Sequence, residues 1–165
     1  MDGAVYVLDA NVFIEAARRY YAFDIAPLFW ENSIHHAADG RIQSIDRVKK
    51  ELERGKDQLA EWATSQFSDA FASTDDEDVT NSYTAVMGWV YAQDQFLDAA
   101  KADFADGADG WLVAYTSSKG YVVVTHEVLN PDIKIKVPIP NVCDAFGVSY
   151  VNTFEMLRQL GVRFA

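Results

Sequence analysis

"AVYVLDAN", residues 4–11, decides the fold. Ala4 to Leu8 is a short apolar run of the kind that forms a buried strand. It stops at Asp9, and a helical pattern begins at once. Asn11 is expected to cap that helix, with Val12, Phe13 or Ile14, Ala16 and Ala17 on its inner side. A strand that turns directly into a helix is the opening unit of a parallel α/β sheet. Asp9 by itself is an ordinary turn residue or a first ligand, and the rest of the chain has to distinguish the two.

The alternation continues outward from this stretch. Residues 25–38 read as a second helix carrying Ile25, Leu28, Phe29 and Ile34. "GRIQSI" (40–45) reads as a turn and a brief strand, and Asp46 as the cap of "RVKKELERG". From 57 to about 104 no strand is expected, and this stretch reads as a helical insertion or cap. Within it, Thr74 and Glu77 have the spacing of a capping box, and the acids of "DDED" (75–78) fall in the first turn of that helix. Then come a helix at 108–120, the β-branched strand "YVVVT" (121–125), a proline-bounded loop, a short helix, the strand "SYV" and a last helix. The expected class is three-layer α/β/α around a central parallel sheet, in one domain over residues 1–165.

Composition narrows the function classes. Half of the 165 residues are hydrophobic and there are four tryptophans, so a packed core is expected rather than disorder. No apolar run is long enough to cross a bilayer, and the start of the chain does not read as a signal peptide. With Cys143 as the single cysteine there is no disulfide framework and no cysteine zinc site. A cytoplasmic location is the simplest expectation. Fourteen basic residues against 25 acidic ones give a net charge of −11, which argues against nucleic-acid binding through a broadly positive surface. It leaves room for an enzyme that reaches phosphates through bound cations.

Ligands of open parallel sheets bind beyond the carboxyl ends of the strands. Asp9 ends the first strand, and Thr125, His126 and Glu127 end the "VVV" strand. Glu51 borders the buried face of its helix, beside Leu52 and three residues from Val48. Asp109 opens "DGWLVAY" and shares a face with Leu112 and Val113, with Asp106 three residues before it. Each acid has a plain reading as a turn residue, a cap or a solvated border charge. Together they suggest one cause, because clustered carboxylates repel one another in a poor dielectric. A hard divalent cation such as Mg²⁺ or Mn²⁺ resolves that repulsion with oxygen ligands.

The ordered set Asp9-x-Asn11, Glu51, "ADGWLVAY" with Asp109, and "VVVTHE" ending at Glu127 resembles the PIN domain family over nearly the whole chain. The C-terminal "VCDAFGVSYVNTFEMLRQLGVRF" fits the same pattern. PIN domains are mostly metal-dependent ribonucleases, and many are toxins of bacterial toxin–antitoxin pairs. The resemblance implies hydrolysis of RNA phosphodiester bonds, with Mg²⁺ or Mn²⁺ held by Asp9, Glu51, Asp109 and Glu127. Asn11, Thr125 and Asp106 would support these acids, and Arg18, Arg19 and His126 would contact substrate. Glu127 stands where the family usually has Asp, one methylene shorter. The partners implied are an RNA substrate, an antitoxin protein and a second copy of the chain, with no membrane.

Other features have simpler explanations. His35 and His36 suit a helix C-terminus, and Cys143 reads as a buried core residue. Lys134 and Lys136 alternate with Ile133, Ile135 and Val137, as on the exposed face of an edge strand. Two other functions compete with the nuclease. A catalytically weak or inactive PIN-like module would bind protein or RNA without cutting. A phosphatase of the haloacid-dehalogenase type also begins with a strand ending in Asp, but it needs Asp where this chain has Asn11.

Overall fold

The computed structural model describes residues 3–164. Met1, Asp2 and Ala165, at the ends of the expected domain, lie outside the described residues. The strands are β1 (Tyr6–Leu8), β2 (Ile42–Ile45), β3 (Phe71–Ala72), β4 (Val122–Val124) and β5 (Tyr150–Val151). They form one sheet in the order β3-β2-β1-β4-β5, and every pairing is parallel. Chain order runs outward from β1 in both directions, so the strand order reverses there. The crevice at such a reversal, beyond the carboxyl ends, is where α/β sheets bind ligands. Asp9 follows β1 directly, at that point.

The sheet is layered between helices, as expected. α1 (Ala10–Glu15), α3 (Asp46–Glu53) and α4 (Gln58–Ser65) pack together, and α2 (Pro27–Ala38) lies against β2. α5 (Glu77–Ala92), α6 (Asp98–Asp106), α7 (Asp109–Lys119) and α8 (Ile139–Phe146) form a second group, and α9 (Thr153–Leu160) closes the chain. α5 and α7 make the most extensive helix contact. Gly110 permits it: a Cβ there would come within 3.1 Å of Phe104 and 3.2 Å of Tyr83. The core follows the strand pattern, with Val7, Leu8, Ile42, Ile45, Val123 and Val124 all buried. Burying a Val, Leu or Ile side chain contributes about 1.5–3 kcal/mol, so this run holds the sheet together. No described helix is long and apolar enough to cross a membrane.

Several local expectations are corrected. The stretch 57–104 is not strand-free: β3 continues the sheet beside β2, with Ser44 opposite Phe71 and Ile45 opposite Ala72. Asp9, not Asn11, caps α1, its side chain accepting from the Asn11 N–H. Asp46 lies inside α3 rather than capping it. Its carboxylate accepts instead from the backbone N–H and hydroxyl of Thr74, at 3.1 and 2.8 Å. Thr74 is thereby committed, and no capping box forms; Asp76 caps α5 by accepting from the Asp78 and Val79 N–H groups. Glu77 and Asp78 do fall in the first turn, as expected. Ile25 precedes α2 and is 79% exposed. Lys134 and Lys136 belong to no strand, because their segment folds back on the α5–α6 connection. Leu97 N–H donates to the Lys134 carbonyl and Gln95 to that of Ile133.

Candidate active site

The site is assembled by the two central strand ends. Parallel pairing sets Leu8 opposite Val124, so Asp9 and Thr125 are neighbours one step later. Asp9 is 1% exposed, and the Thr125 hydroxyl donates to its Oδ2 at 3.1 Å. The same Thr125 oxygen accepts from the Glu127 N–H at 3.1 Å, which fixes the turn after β4. Thr125 thus joins the first acid to the last.

Glu51 comes from α3 and Asp109 from the first turn of α7. Glu51 Oε1 accepts from the Ala108 N–H at 3.1 Å, so it holds the start of the helix that carries Asp109. Burial pushes Asp109 up to about 8, and the charges of Asp9, Glu127 and Glu51 push the same way. Burial, then Glu127 and Glu51, pushes Asp9 up to about 7, against hydrogen bonds from Asn11 and Thr125 that favour its anion. The four acids therefore share one electrostatic neighbourhood. Burial and mutual repulsion hold protons on two of them that an ordinary aspartic acid sheds near pH 4.

Glu127 is engaged through both carboxylate oxygens. Its Oε1 accepts from the Ile139 N–H at 2.8 Å, at the start of α8, and its Oε2 meets Lys136 Nζ at 3.0 Å. Burial alone would pull Lys136 down, but Glu127, Asp109 and Asp9 hold its ammonium above the ordinary lysine value. Lys136 and Asp109 line the same cleft of about 380 Å³, with Phe104 and Val137.

The remaining predicted residues divide. Asn11 is exposed and lines a second cleft of about 440 Å³ with Glu15, Arg19, Tyr20, His126 and Glu127. Arg19 stays at its rim, 3.4 Å from Glu15. Arg18 is exposed and does not line it. His126 is half-buried, with Nε2 3.0 Å from the Thr153 hydroxyl, and burial lowers its pKa. Asp106 ends α6, exposed, and is not among the charges that raise Asp9 or Asp109. His35 and His36 fall in the last turn of α2, and Cys143 is buried in α8. Sequence reasoning did not bring Lys136 to the acids, because the Ile-Lys alternation mimics an edge strand. Pro138 and Pro140 mark the stretch as a loop, as expected, but they do not show that it returns to the acids.

As they lie, no three His, Cys, Asp or Glu side chains among the described residues are arranged to hold a metal ion. Glu51 and Glu127 each accept a backbone N–H with one oxygen. The donor chemistry nonetheless fits a hard cation. It is all oxygen, with Asp9 buried and the other three half-buried, and it is loaded with like charge that only Lys136 offsets among the groups acting on Asp109.

The chain matches a family model described as "Domain of unknown function (DUF4411)" over residues 6–164. Among solved structures it resembles FitAcB from Neisseria gonorrhoeae, with TM-score 0.57 and 17% identity, over 91% of this chain and 99% of that one. It also resembles VapBC2 from Rickettsia felis, solved bound to a DNA fragment from their promoter, with TM-score 0.53 and 14% identity, over 90% and 98%. At such identities the likeness is one of fold. No curated protein sequence matches the chain.

Proposed function

The chain belongs to the DUF4411 family, a PIN-like family, and on that premise we propose that it is a metal-dependent endoribonuclease that hydrolyses RNA phosphodiester bonds. What supports the reading is the mutual repulsion among Asp9, Glu51, Asp109 and Glu127, which together with burial pushes Asp9 and Asp109 up to about 7 and 8. Acids whose protons are held this way are a signature of sites built for chemistry.

Asp9 and Asp109 would hold Mg²⁺ or Mn²⁺, with Glu51 and Glu127 reaching it after release from their N–H partners. When bound, the cation supplies charge for the phosphate oxygens and an acidified water. The chain's own groups do the rest. Thr125 keeps Asp9 oriented and favours its anion. Glu51 holds the N-terminus of α7, and so sets where Asp109 stands. Asn11, at the rim, would orient the incoming strand.

The resemblance to PIN toxins, together with the fold shared with FitAcB and VapBC2, supports a role as the toxin of a toxin–antitoxin pair, active in the cytoplasm. An antitoxin and a second copy of the chain are its proposed protein partners. The test is cleavage of single-stranded RNA by the purified chain with Mg²⁺ or Mn²⁺. Fragments that require the cation and vanish in Asp9→Asn and Asp109→Asn support the reading. Intact RNA, or full activity in both variants, overturns it.

One observation favours a second reading, a module that binds without cutting: both glutamates are engaged elsewhere. Calorimetric titration with Mn²⁺ separates the two. Micromolar binding that Asp109→Asn removes favours the nuclease, and absence of binding favours the module.

A further inference from the structure

Three rings gather on the site's open flank and have no part in the core. Tyr20 is 50% exposed and Phe154 39% exposed. Tyr20 meets Phe154 edge-on at 5.7 Å and His126 at 5.9 Å, and His126 lies 6.2 Å from Phe154. They come from three separate segments: the end of a π-helical turn (Ala16–Tyr20), the loop after β4, and α9. π-turns interrupt helices at a cost and recur at functional sites. Tyr20 and His126 line the 440 Å³ cleft that also holds Asn11 and Glu127, so two of the three rings share a cleft with the last of the four acids.

The chemistry of this cleft selects its occupant. Glu15 and Glu127 would repel a phosphate, and Arg19 at the rim is the cation that lines it. With a net charge of −11, the chain cannot draw its affinity for a polynucleotide from broad charge neutralisation. A neutral base with a π-face meets neither obstacle, and stacking on aromatic side chains is available only to bases that are unpaired.

We propose that Tyr20, His126 and Phe154 form a stacking subsite for an unpaired nucleobase beside the scissile phosphate, with Arg19 on the adjoining phosphate. The substrate class is then single-stranded RNA. The inference deepens the ribonuclease reading and rests on it.

The test is binding of a fluorescein-labelled single-stranded RNA decamer, measured by anisotropy in EDTA so that no cleavage intervenes. Tyr20→Ala is expected to weaken binding about tenfold, the usual worth of one stacked base. Tyr20→Phe, which keeps the ring, should bind within about twofold of the wild type. The same backbone without bases should bind weakly and equally to the wild type and to Tyr20→Ala. Equal affinity for the decamer in wild type, Tyr20→Ala and Phe154→Ala overturns the subsite and leaves the platform to a protein partner. Duplex RNA binding as tightly as the single strand, or no binding by the wild type, also overturns it. Cleavage in Mn²⁺ is read separately. Cleavage with an unaffected Tyr20→Ala sinks the subsite alone, whereas lost stacking without any cleavage sinks the nuclease alone.

Discussion

The Thr125 hydroxyl donates to the Asp9 carboxylate at 3.1 Å, across two strands whose register sets Leu8 opposite Val124. That hydroxyl favours the anion of the central acid, against burial and the charge of Glu127, which raise its pKa. Thr125→Val keeps the shape and removes the donor. The acid limb of the pH–rate profile should move to higher pH, because the lost bond favoured the anion. Activity at pH 7 should fall about 10- to 100-fold, as for other partners that orient ligands. Stability should fall by roughly 1–3 kcal/mol, since buried Asp9 loses a partner. An unchanged profile would mean that the bond is only structural.

Asp9→Asn and Asp109→Asn should each reduce cleavage by more than the roughly 100-fold typical of an outer-shell partner. Both should raise the thermal midpoint of the metal-free protein at pH 8, because each removes a buried like charge. Circular dichroism melts check this directly, and a lowered midpoint in both variants would contradict the picture of mutual repulsion.

The same repulsion fixes the sign of the pH dependence. Asp9 and Asp109 bind protons more tightly when folded, with values of about 7 and 8, than when unfolded, near 4. Their contribution to stability is complete below pH 4 and is lost as pH rises through 7 and 8. The metal-free protein should therefore melt at lower temperature at pH 8.5 than at pH 5.5. Added Mn²⁺ should raise the melting temperature far more at pH 8.5, where both acids are free to bind it.

Lys136 competes with any cation for Glu127. Its side chain is 50% exposed, so the ion pair at 3.0 Å contributes no more than about 1 kcal/mol. Lys136→Met should free Glu127 and tighten Mn²⁺ binding at pH 8.5 by about fivefold, the equivalent of that energy. Weaker binding in the variant would show that the lysine organises the site rather than blocking it.

Cys143 is fully buried in α8, and burial, then Asp144 and Glu127, pushes its thiol up to about 12. It should resist thiol reagents at pH 8 in the folded protein and react on unfolding. Rapid labelling of the native chain would contradict the packing of α8.

The parts of this molecule that were legible in the sequence are those where side-chain pattern and backbone state coincide. Val5 to Leu8 and Val122 to Val124 are apolar on both faces because both faces are covered, and that pattern has one reading. Asp9, Glu51, Asp109 and Glu127 could be named because they border such elements. β3 could not, since Phe71 and Ala72 carry no period and owe their strand state to the neighbouring β2. Caps were misassigned where a tertiary bond intervened: Asp46 and Thr74 satisfy each other and are lost to their own helices. Lys136 and Tyr20 were hidden for a related reason. A lysine in an alternating run and a tyrosine in an aromatic-rich chain look ordinary until the fold brings them beside the acids.

The short strand β3 has a consequence for anyone who would trim this protein to a smaller domain. Residues 57–104 supply Trp62, Phe67 and Phe71, whose rings surround Phe13 at 5.6–6.1 Å, on the helix that Asp9 begins. Excising them would unseat the scaffold beneath the first acid. It would also bare the ladder groups of Ser44 and Ile45 along β2. A naked strand border recruits its own kind, so the shortened chain would come out of the cell as aggregate, and the middle third is a flank of the sheet rather than a detachable lid.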